Sequence, residues 1–476
     1  MAPTDLIRTE GTAHRRTRGV SPTVLVSVLV FLAGLSTAVS SLGAPLLVTI
    51  VQVDQVSLAA SQWALTVTLL VGAVAAPIMG RLGDGHHRRA ATLAGAACVM
   101  VGCVLSAVPA GLAVLLVGRA VQGVGLGLVP LATAFARDNL PAEQSRRTIG
   151  ILGISTAVGI GAGYPLVGLI AQYLGLYWAF WFGAGVGALA LAAAIVALPA
   201  SPDRRAPVDI PGAAILGLGV AGLLLVLAQG PVWGWTSPVD LTVLAVSVLL
   251  LAAWVVVELR GRHPLVDLRL LRHRSVLAAN TSVLLVSIGF YPLLSLVVRF
   301  VQTPATAGYG FGAPVVVAGL LLIPYSLASL VAGQVARPMA RRFSPEWVIV
   351  VSCVVLVAAV LNFLLARTTY WEIIVSMALL GFGVGCVFAV NPVQIVTGVP
   401  QRETGSAMSF YQLIRTVGYS MASALSATAL IVTMPAGHTV PANSGYSIAA
   451  LIGVVVLLVG LVANTAFALT ARRQRT

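Results

Sequence analysis

Long apolar blocks alternate with short polar breaks along nearly the whole chain. Each block has roughly the 20 residues that an α-helix needs to cross the hydrocarbon core of a bilayer. The blocks show no strict apolar–polar alternation of the kind that a membrane β-barrel requires. The pattern therefore predicts an all-α integral membrane protein whose backbone polar groups are satisfied within its helices.

The blocks number fourteen, in a six, two, six arrangement. The two extra spans are followed by a linker that mixes leucine with arginine, which suits either a short helix on the membrane surface or a plain connection between two halves. The predicted segments are an N-terminal tail 1–22, a six-helix bundle 23–198, two extra helices with the linker 199–274, a second six-helix bundle 275–470 and a C-terminal tail 471–476.

Arginine positions predict the orientation of these spans. All 28 basic residues are arginine, and all but Arg119, Arg299, Arg367 and Arg415 lie in the tails or in alternate breaks. Because breaks rich in arginine stay on the cytoplasmic side, both termini are predicted to be cytoplasmic and the protein to lie in the cell inner membrane.

Composition excludes several classes of protein. With 58% hydrophobic and 9% charged residues, the chain has too little polar surface for a water-soluble fold. The net charge of +14 lies in short runs beside the spans, which argues against a nucleic-acid partner. The four cysteines lie in apolar blocks without neighbouring histidines, so no metal or other cofactor is predicted. The chain also lacks the residue groupings of an enzyme active site.

The break after the second span reads G-R-L-G-D-G-H-H-R-R and resembles a loop pattern of the major facilitator superfamily. Gly80, Leu82, Asp84, Arg88 and Arg89 match that pattern, whereas Gly85 and His87 depart from it. In the family this loop works as a conformational gate, in which the acid pairs with a neighbouring helix and the basic residues help to hold the outward-facing state. The resemblance implies that role for Asp84 and Arg88.

Further motifs extend the resemblance over nearly the whole chain. The fourth span carries R-x-x-Q-G with Arg119, Gln122 and Gly123, as in antiporter branches of the family. The fifth matches the exporters' G-P-x-x-G-G at Pro165 and Gly168 but departs at Tyr164 and Leu169, so an antiporter-type bend is only partly supported. The stretches P-L-V-D-L-R-L-L-R-H-R from Pro264 and G-S-A-M-S-F-Y-Q-L-I-R-T-V-G from Gly405 resemble the fourteen-helix drug:proton antiporter branch.

The resemblance implies the major facilitator fold, with two six-helix bundles around a central site, two extra helices and alternating access. It also implies a monomer that binds a small-molecule substrate within the lipid bilayer, with protons as an open second partner.

Buried charge gives the first candidate site. A charge inside the bilayer costs about 3 kcal/mol on insertion scales, so Arg119 and Arg415 are candidates for handling substrate or protons. The alternative is that Arg119 only ties helices together through carbonyls or Gln122. No carboxylate falls in the middle of a span, and alignment on Pro45 places Ser36 where these antiporters usually carry an aspartate.

A hydroxyl cannot cycle a proton near neutral pH. The serine at position 36, in place of the usual aspartate, therefore favours a neutral, zwitterionic or anionic substrate. It leaves proton transfer to Asp54, Glu372 or a water near Arg119.

Polar and aromatic residues within spans complete the candidate site. Each has a purely structural alternative, as an interhelical hydrogen bond or, for Trp63, as part of the interfacial aromatic belt. The residues are Trp63, Gln122, Asn391, Gln394, Tyr411 and Gln412. Together these features predict an exporter of a small organic compound or drug. The alternatives are an uncoupled facilitator or importer of a neutral or anionic metabolite, and a transport-inactive membrane sensor or scaffold.

Overall fold

A computed structural model describes residues 21–43, 46–204, 207, 209–261, 264–435 and 440–473. Most of the predicted N-terminal tail, Pro45, Arg205 and the last three residues of the C-terminal tail lie outside these ranges. Within the described ranges the regular structure is helical, without a strand. The predicted all-α membrane fold is confirmed.

The first predicted bundle contains eight helical pieces that build six spans. The first predicted span divides into a long helix and a short one, and the fourth consists of two helices joined by the 3-10 turn Val124–Gly127. The helices are α1 (Pro22–Ser41), α2 (Leu47–Asp54), α3 (Leu58–Gly83), α4 (Arg88–Ala107), α5 (Leu112–Gly123), α6 (Leu128–Asn139), α7 (Ala142–Tyr173) and α8 (Leu176–Ala197).

The two extra helices, α9 (Ile210–Trp233) and α10 (Pro238–Arg260), form a hairpin on the outside of the molecule. Each begins at a side-chain cap: the carboxylate of Asp209 accepts from Gly212 N–H, and the hydroxyl of Ser237 accepts from Asp240 N–H. Helix α9 packs on α3, whereas α10 packs mainly on α9. Large apolar side chains of α10, such as Leu249, are exposed on the protein surface, as lipid contact requires.

The linker after α10 forms a packed connection rather than a longer helix on the membrane surface. It contains one 3-10 turn, Leu268–Arg272. Just before this turn, Leu265 and Val266 are buried in an apolar cluster with Trp254 and Leu413. The side chain of Glu258 accepts a hydrogen bond from Val266 N–H. The linker is therefore attached to the end of α10.

The second predicted bundle again has one divided span, made of α12 and α13. Its helices are α11 (Arg274–Gln302), α12 (Val315–Leu320), α13 (Ile323–Phe343), α14 (Pro345–Leu365), α15 (Tyr370–Gly398), α16 (Thr404–Val432) and α17 (Asn443–Arg473).

Thirteen helical segments of the described chain are long and apolar enough to cross a membrane. The remaining predicted span, 406–432, corresponds to α16, whose 29 residues exceed the roughly 20 that a crossing needs.

Two seams join the halves of the molecule. At the first, α3 and α6 pack against α16, and at the second, α7 packs against α13 and α15. We call the end of the molecule that carries the connections after α3, α6, α8, α10, α13 and α15 the arginine-rich end. Both seams extend to that end, so they decide whether it is open or closed.

Candidate functional site

Helices α3 and α16 cross at Gly80 and Gly405. A Cβ atom added at Gly80 would lie 2.6 Å from the carbonyl oxygen of Gly405, and one added at Gly405 would meet the carbonyl oxygen of Gly80 even more closely. A side chain at either position would push the backbones apart. The absence of a side chain therefore permits the tight crossing, which places the end of α3 against the start of α16.

Asp84, directly after α3, bonds the first turn of α16. Its carboxylate accepts hydrogen bonds from Gly405 N–H at 2.6 Å and from Ser406 N–H at 3.0 Å. These amides belong to a helix N-terminus, where N–H groups lack partners within the helix and the macrodipole favours negative charge. Burial raises the pKa of Asp84 to about 6, although the hydrogen bonds from Ser406 and Gly405 and the charge of Arg81 act to lower it. Asp84 thus connects the two halves directly.

Asp138, near the end of α6, is the centre of a second set of contacts. It forms ion pairs with Arg88 at 2.7 Å and with Arg204 at 3.1 Å, and its other oxygen accepts from the amide of Gln401 at 2.7 Å. Arg204 also donates to the backbone carbonyl of Asp84 at 2.6 Å. Among the described residues, the buried Arg88 therefore reaches the second half only through Asp138.

Arg137 adds a direct bond across the same seam, and Arg89 does not. Arg137 donates to the hydroxyl of Thr404 at 2.7 Å and to the carbonyl of Val399 at 2.9 Å. Arg89 donates instead to the carbonyl of Ile195 at 2.7 Å, within the first half. Of the residues in the predicted gate motif, Asp84 and Gly80 make the direct contact.

The second seam is closed by different means. At Gly153 of α7 an added Cβ would meet the carbonyl oxygen of Phe388 and would lie 3.0 Å from the ring of Pro392. Further along the seam the hydroxyl of Ser326 donates to the carbonyl of Val158 at 3.0 Å. At the arginine-rich end Glu143 pairs with Arg341. Both seams are therefore closed at this end.

Pro165 lies inside α7, which continues without a break to Tyr173. Gly319 of α12 packs on it, since a Cβ at Gly319 would lie 3.1 Å from the Cα of Pro165. Gly168, less than one turn further along, is buried. These two motif residues accordingly lie on a helix that belongs to the second seam.

Arg119 is fully buried and bonds three helices. Its guanidinium donates to the carbonyls of Ala64 at 3.0 Å and Val39 at 3.1 Å, and to the amide oxygen of Gln122 at 2.6 Å. Val39 lies in the last turn of α1, where carbonyls lack partners within the helix and a cation is favourable. In this conformation Arg119 ties helices together, while its Nη2 atom is buried without a hydrogen-bond partner among the described residues.

Gln122 continues the network from Arg119. Its amide nitrogen donates to the hydroxyl of Ser106 on α4 at 3.1 Å. Trp63, adjacent to Ala64 in the chain, is half-buried on α3. The predicted residues Arg119, Gln122 and Trp63 thus lie in one region of the first half.

Arg415 lies in the second half among aromatic rings. Its guanidinium is 5.0 Å from the ring centre of Phe388 and 6.0 Å from that of Tyr419. Tyr419 stacks on Tyr291 at 4.7 Å, and Phe290 meets the edge of Tyr419 at 5.8 Å. We call Phe290, Tyr291, Phe388 and Tyr419 the aromatic cluster. Sequence reasoning named Arg415 as a candidate but missed the aromatic cluster around it.

Tyr164 connects this cluster with Arg119. It is half-buried on α7 and lies within electrostatic range of both Arg119 and Tyr291. Tyr325, which is buried, lies within range of Tyr164, Tyr291 and Arg415. The two arginines therefore border the same tyrosine-lined region from opposite halves of the molecule.

Three of the remaining predicted residues carry buried polar atoms without hydrogen-bond partners among the described residues. They are Oδ1 of Asn391, both amide atoms of Gln394 and the hydroxyl of Tyr411. The amide nitrogen of Asn391 donates to the carbonyl of Ala279 at 3.2 Å. Buried polar groups are normally paired, so these atoms mark places for water or a ligand. Gln412 instead lines a small recess between α16 and α3.

Carboxylates lie at the periphery of this region. Of the 14 in the sequence, all but Asp5 and Glu10 are in described residues, and each of these lies in a loop or within three residues of a helix end. Asp54, the last residue of α2, accepts from the hydroxyl of Tyr177 at 3.4 Å. Glu372 completes a capping box with Thr369 at the start of α15. Both are therefore engaged at helix ends.

Comparison with known proteins assigns the family. The model of the Major Facilitator Superfamily matches residues 26–423 and 293–475. The chain belongs to this superfamily. It is 29% identical to the tetracenomycin C resistance and export protein of Streptomyces glaucescens over 87% of this chain and 77% of that protein. It is 25% identical to the multidrug resistance protein Stp of Mycobacterium tuberculosis over 78% of this chain and 68% of that protein.

The fold agrees with this assignment. The crystal structure of the human organic anion transporter MFSD10 matches 93% of this chain and 100% of its own with a TM-score of 0.64 at 18% identity. The named relatives support the drug:proton antiporter branch that the sequence motifs indicated. The protein is accordingly a multi-pass membrane transporter of this superfamily. The members of the superfamily are transporters and not enzymes.

Proposed function

We propose that this transporter exports a neutral or anionic small organic compound across the cell membrane by alternating access. The observation that carries the proposal is the pair of buried guanidiniums, Arg119 and Arg415, which lie near the same group of tyrosines. The described carboxylates lie in loops or near helix ends. A cationic substrate would need buried negative charge to offset the loss of its hydration, and this region supplies positive charge.

In this mechanism the segments 23–198 and 275–470 move as two bundles of one monomer. The closed seams support an occluding role for Gly80, Asp84 and Gly153 at the arginine-rich end. If arginine-rich loops are cytoplasmic, as the positive-inside rule expects, that end is the inner gate and both termini are cytoplasmic. Opening the inner gate would expose the region around Arg119 and Arg415 to the cytoplasm, and closing it would release substrate outward.

The export direction draws on the named relatives, one of which is a resistance and export protein. The drug:proton antiporter branch, to which the named relatives point, supports linkage of export to the proton gradient. The alternative is an uncoupled facilitator or importer of a neutral or anionic metabolite. It is favoured by one observation, the lack of a mid-helix carboxylate among the described residues.

The test uses inverted membrane vesicles with an imposed inside-acid pH gradient. Cationic, neutral and anionic compounds are added in turn, and collapse of the gradient is compared with that in vesicles lacking the protein. Collapse with anionic or neutral compounds supports proton-linked export. Collapse with lipophilic cations alone would refute the substrate charge. Entry of labelled substrate only up to its outside concentration, without any collapse, would establish the uncoupled alternative.

Two variants test the role of the buried arginine in the same vesicles. Arg119→Gln should abolish transport while the protein still inserts, because the neutral amide cannot hold an anionic group. Arg299→Gln is the matched control, since Arg299 is exposed at the end of α11. Full transport by Arg119→Gln would remove Arg119 from substrate handling and leave it as a helix tie.

A further inference from the structure

The surroundings of Arg415 have a specific chemistry. Its guanidinium lies within 6.0 Å of two ring centres, those of Phe388 and Tyr419. The planar guanidinium of arginine carries its N–H donors in a fork, which matches the oxygens of a carboxylate in a bidentate manner. Because the side chain is buried, the attraction for an anion is screened less than at the surface.

The rings beside Arg415 offer a flat apolar surface. Tyr291 and Tyr419 stack at 4.7 Å with an interplanar angle of 18°, and both are half-buried. Each ring therefore keeps part of its surface exposed. Aromatic faces prefer offset stacking with a further planar ring. A cation and a flat surface therefore lie side by side.

A second observation points to a ligand at the same place. Tyr411 lies one helical turn from Arg415 on the same side of α16. Its buried hydroxyl and Oδ1 of Asn391 have no hydrogen-bond partner among the described residues. Asn391 in turn lies one turn from Phe388 on α15. The two groups lie within reach of each other, and together they offer a donor and an acceptor to a polar group bound next to the guanidinium.

We propose that Arg415, Tyr291 and Tyr419 form a binding site for planar aromatic anions, in which the guanidinium pairs with the anionic group and the tyrosine rings stack on the aromatic plane. This assignment rests on the proposed function, because it names the substrate class of that transporter. Tyr164 of the first half lies within electrostatic range of both Tyr291 and Arg119, so we expect a substrate of more than one ring to reach both halves.

The site also explains why a tyrosine at position 164 suits this chain. Tyr164 lies within electrostatic range of Tyr291, so its ring is a third one near the proposed site. Replacement by a small residue would remove one wall without touching Arg415. The region is therefore selective for aromatic over aliphatic anions, with the rings rather than the charge providing the discrimination.

Binding to the purified protein in lipid nanodiscs tests this proposal. The probes are 2-naphthoate, the similarly shaped cation 2-naphthylmethylammonium and the aliphatic anion cyclohexanecarboxylate, each measured by calorimetry. We expect 2-naphthoate to bind at least about tenfold more tightly than either of the other probes, a difference that corresponds to about 1.4 kcal/mol. Equal binding of the three probes, preference for the cation, or no binding of 2-naphthoate would overturn the proposal.

Variants assign the effect to the named residues. Arg415→Gln should weaken 2-naphthoate binding at least about tenfold. Tyr291→Leu should remove the preference for 2-naphthoate over cyclohexanecarboxylate while both anions still bind. Arg299→Gln should leave binding unchanged. Should Arg415→Gln fail to fold, Tyr291→Leu still decides, because a retained aromatic preference in that variant would refute the stacking role.

The vesicle experiment keeps this inference separate from the proposed function. Gradient collapse or accumulation with a non-aromatic anion, together with no 2-naphthoate binding, would leave export in place and refute the aromatic site. Binding of 2-naphthoate that depends on Arg415, with no transport of any compound, would support the site and refute export.

Discussion

The crossing of α3 and α16 gives the sharpest test of the gate. Gly80→Ala adds one methyl group at a point where it would lie 2.6 Å from the carbonyl oxygen of Gly405. The obstacle is backbone, so no side-chain rotation can relieve it, and the two helices must separate. The added methyl meets this obstacle only while the arginine-rich end is closed.

The cost follows from the usual price of overpacking, about 1–3 kcal/mol. Because the open conformation does not bear it, the whole cost acts on the equilibrium between closed and open states. That equilibrium should shift toward the open state by about fivefold to about 150-fold. Any gain in helix propensity from alanine applies equally to both states and does not alter this shift.

Accessibility of a single cysteine measures the shift. Ala407 is buried on α16 near the crossing, so Ala407→Cys in a chain without its four native cysteines reports opening. We expect Gly80→Ala to raise the rate of labelling by a hydrophilic maleimide within the range given above. Gly185→Ala is the control, since nothing lies within 4 Å of a Cβ there. A labelling rate for Gly80→Ala equal to that of Gly185→Ala would refute the reasoning.

Three further predictions concern the same seams and the buried arginine. Burial raises the pKa of Asp84 to about 6, from about 3.9 in water. The closed state should therefore be favoured at acid pH and lose this support as the pH rises from about 4 to about 6. The ratio of the labelling rate of the parent to that of Asp84→Asn should rise over the same pH range and stay constant above it. Arg341→Gln breaks only an exposed ion pair and should change the labelling rate less than about fivefold. A larger change would show that this pair contributes strongly to closure. Arg119→Leu leaves the amide oxygen of Gln122 without its donor and should lower the midpoint of thermal unfolding by a few degrees, whereas an unchanged midpoint would contradict the helix tie.

The spans could be predicted from sequence because the bilayer fixes their length and apolar character. The chemistry at the seams could not be predicted to the same depth. The loop motif singled out Asp84, but its partners, the amides of Gly405 and Ser406, lie more than 300 positions away. A backbone donor has no side-chain signature. The signal that the sequence offered was the predicted start of a span at position 406, next to Gly405.

The aromatic cluster shows the same limit. Tyr411, Arg415 and Tyr419 recur every four residues, a spacing that places them on one side of a helix, and this signal was present in the sequence. Whether Arg415 lies over Phe388 depends on how α15 faces α16, which is a property of tertiary packing. Similarly, Arg137 and Asp138 read as ordinary loop charges until the fold brings Thr404 and Gln401 beside them.

The location of Asp84 constrains any account of proton coupling. In this closed conformation its carboxylate is buried against the start of α16, so we expect its protonation to change when the end opens. It lies, however, at the arginine-rich end, so it exchanges protons with one side of the membrane. A group that exchanges with one side makes the gate sensitive to pH there and carries no proton across. Coupled transport by this chain therefore needs a second proton carrier that can be reached from the opposite side. If the pH dependence of transport vanishes in Asp84→Asn, that dependence measures regulation of the gate rather than coupling.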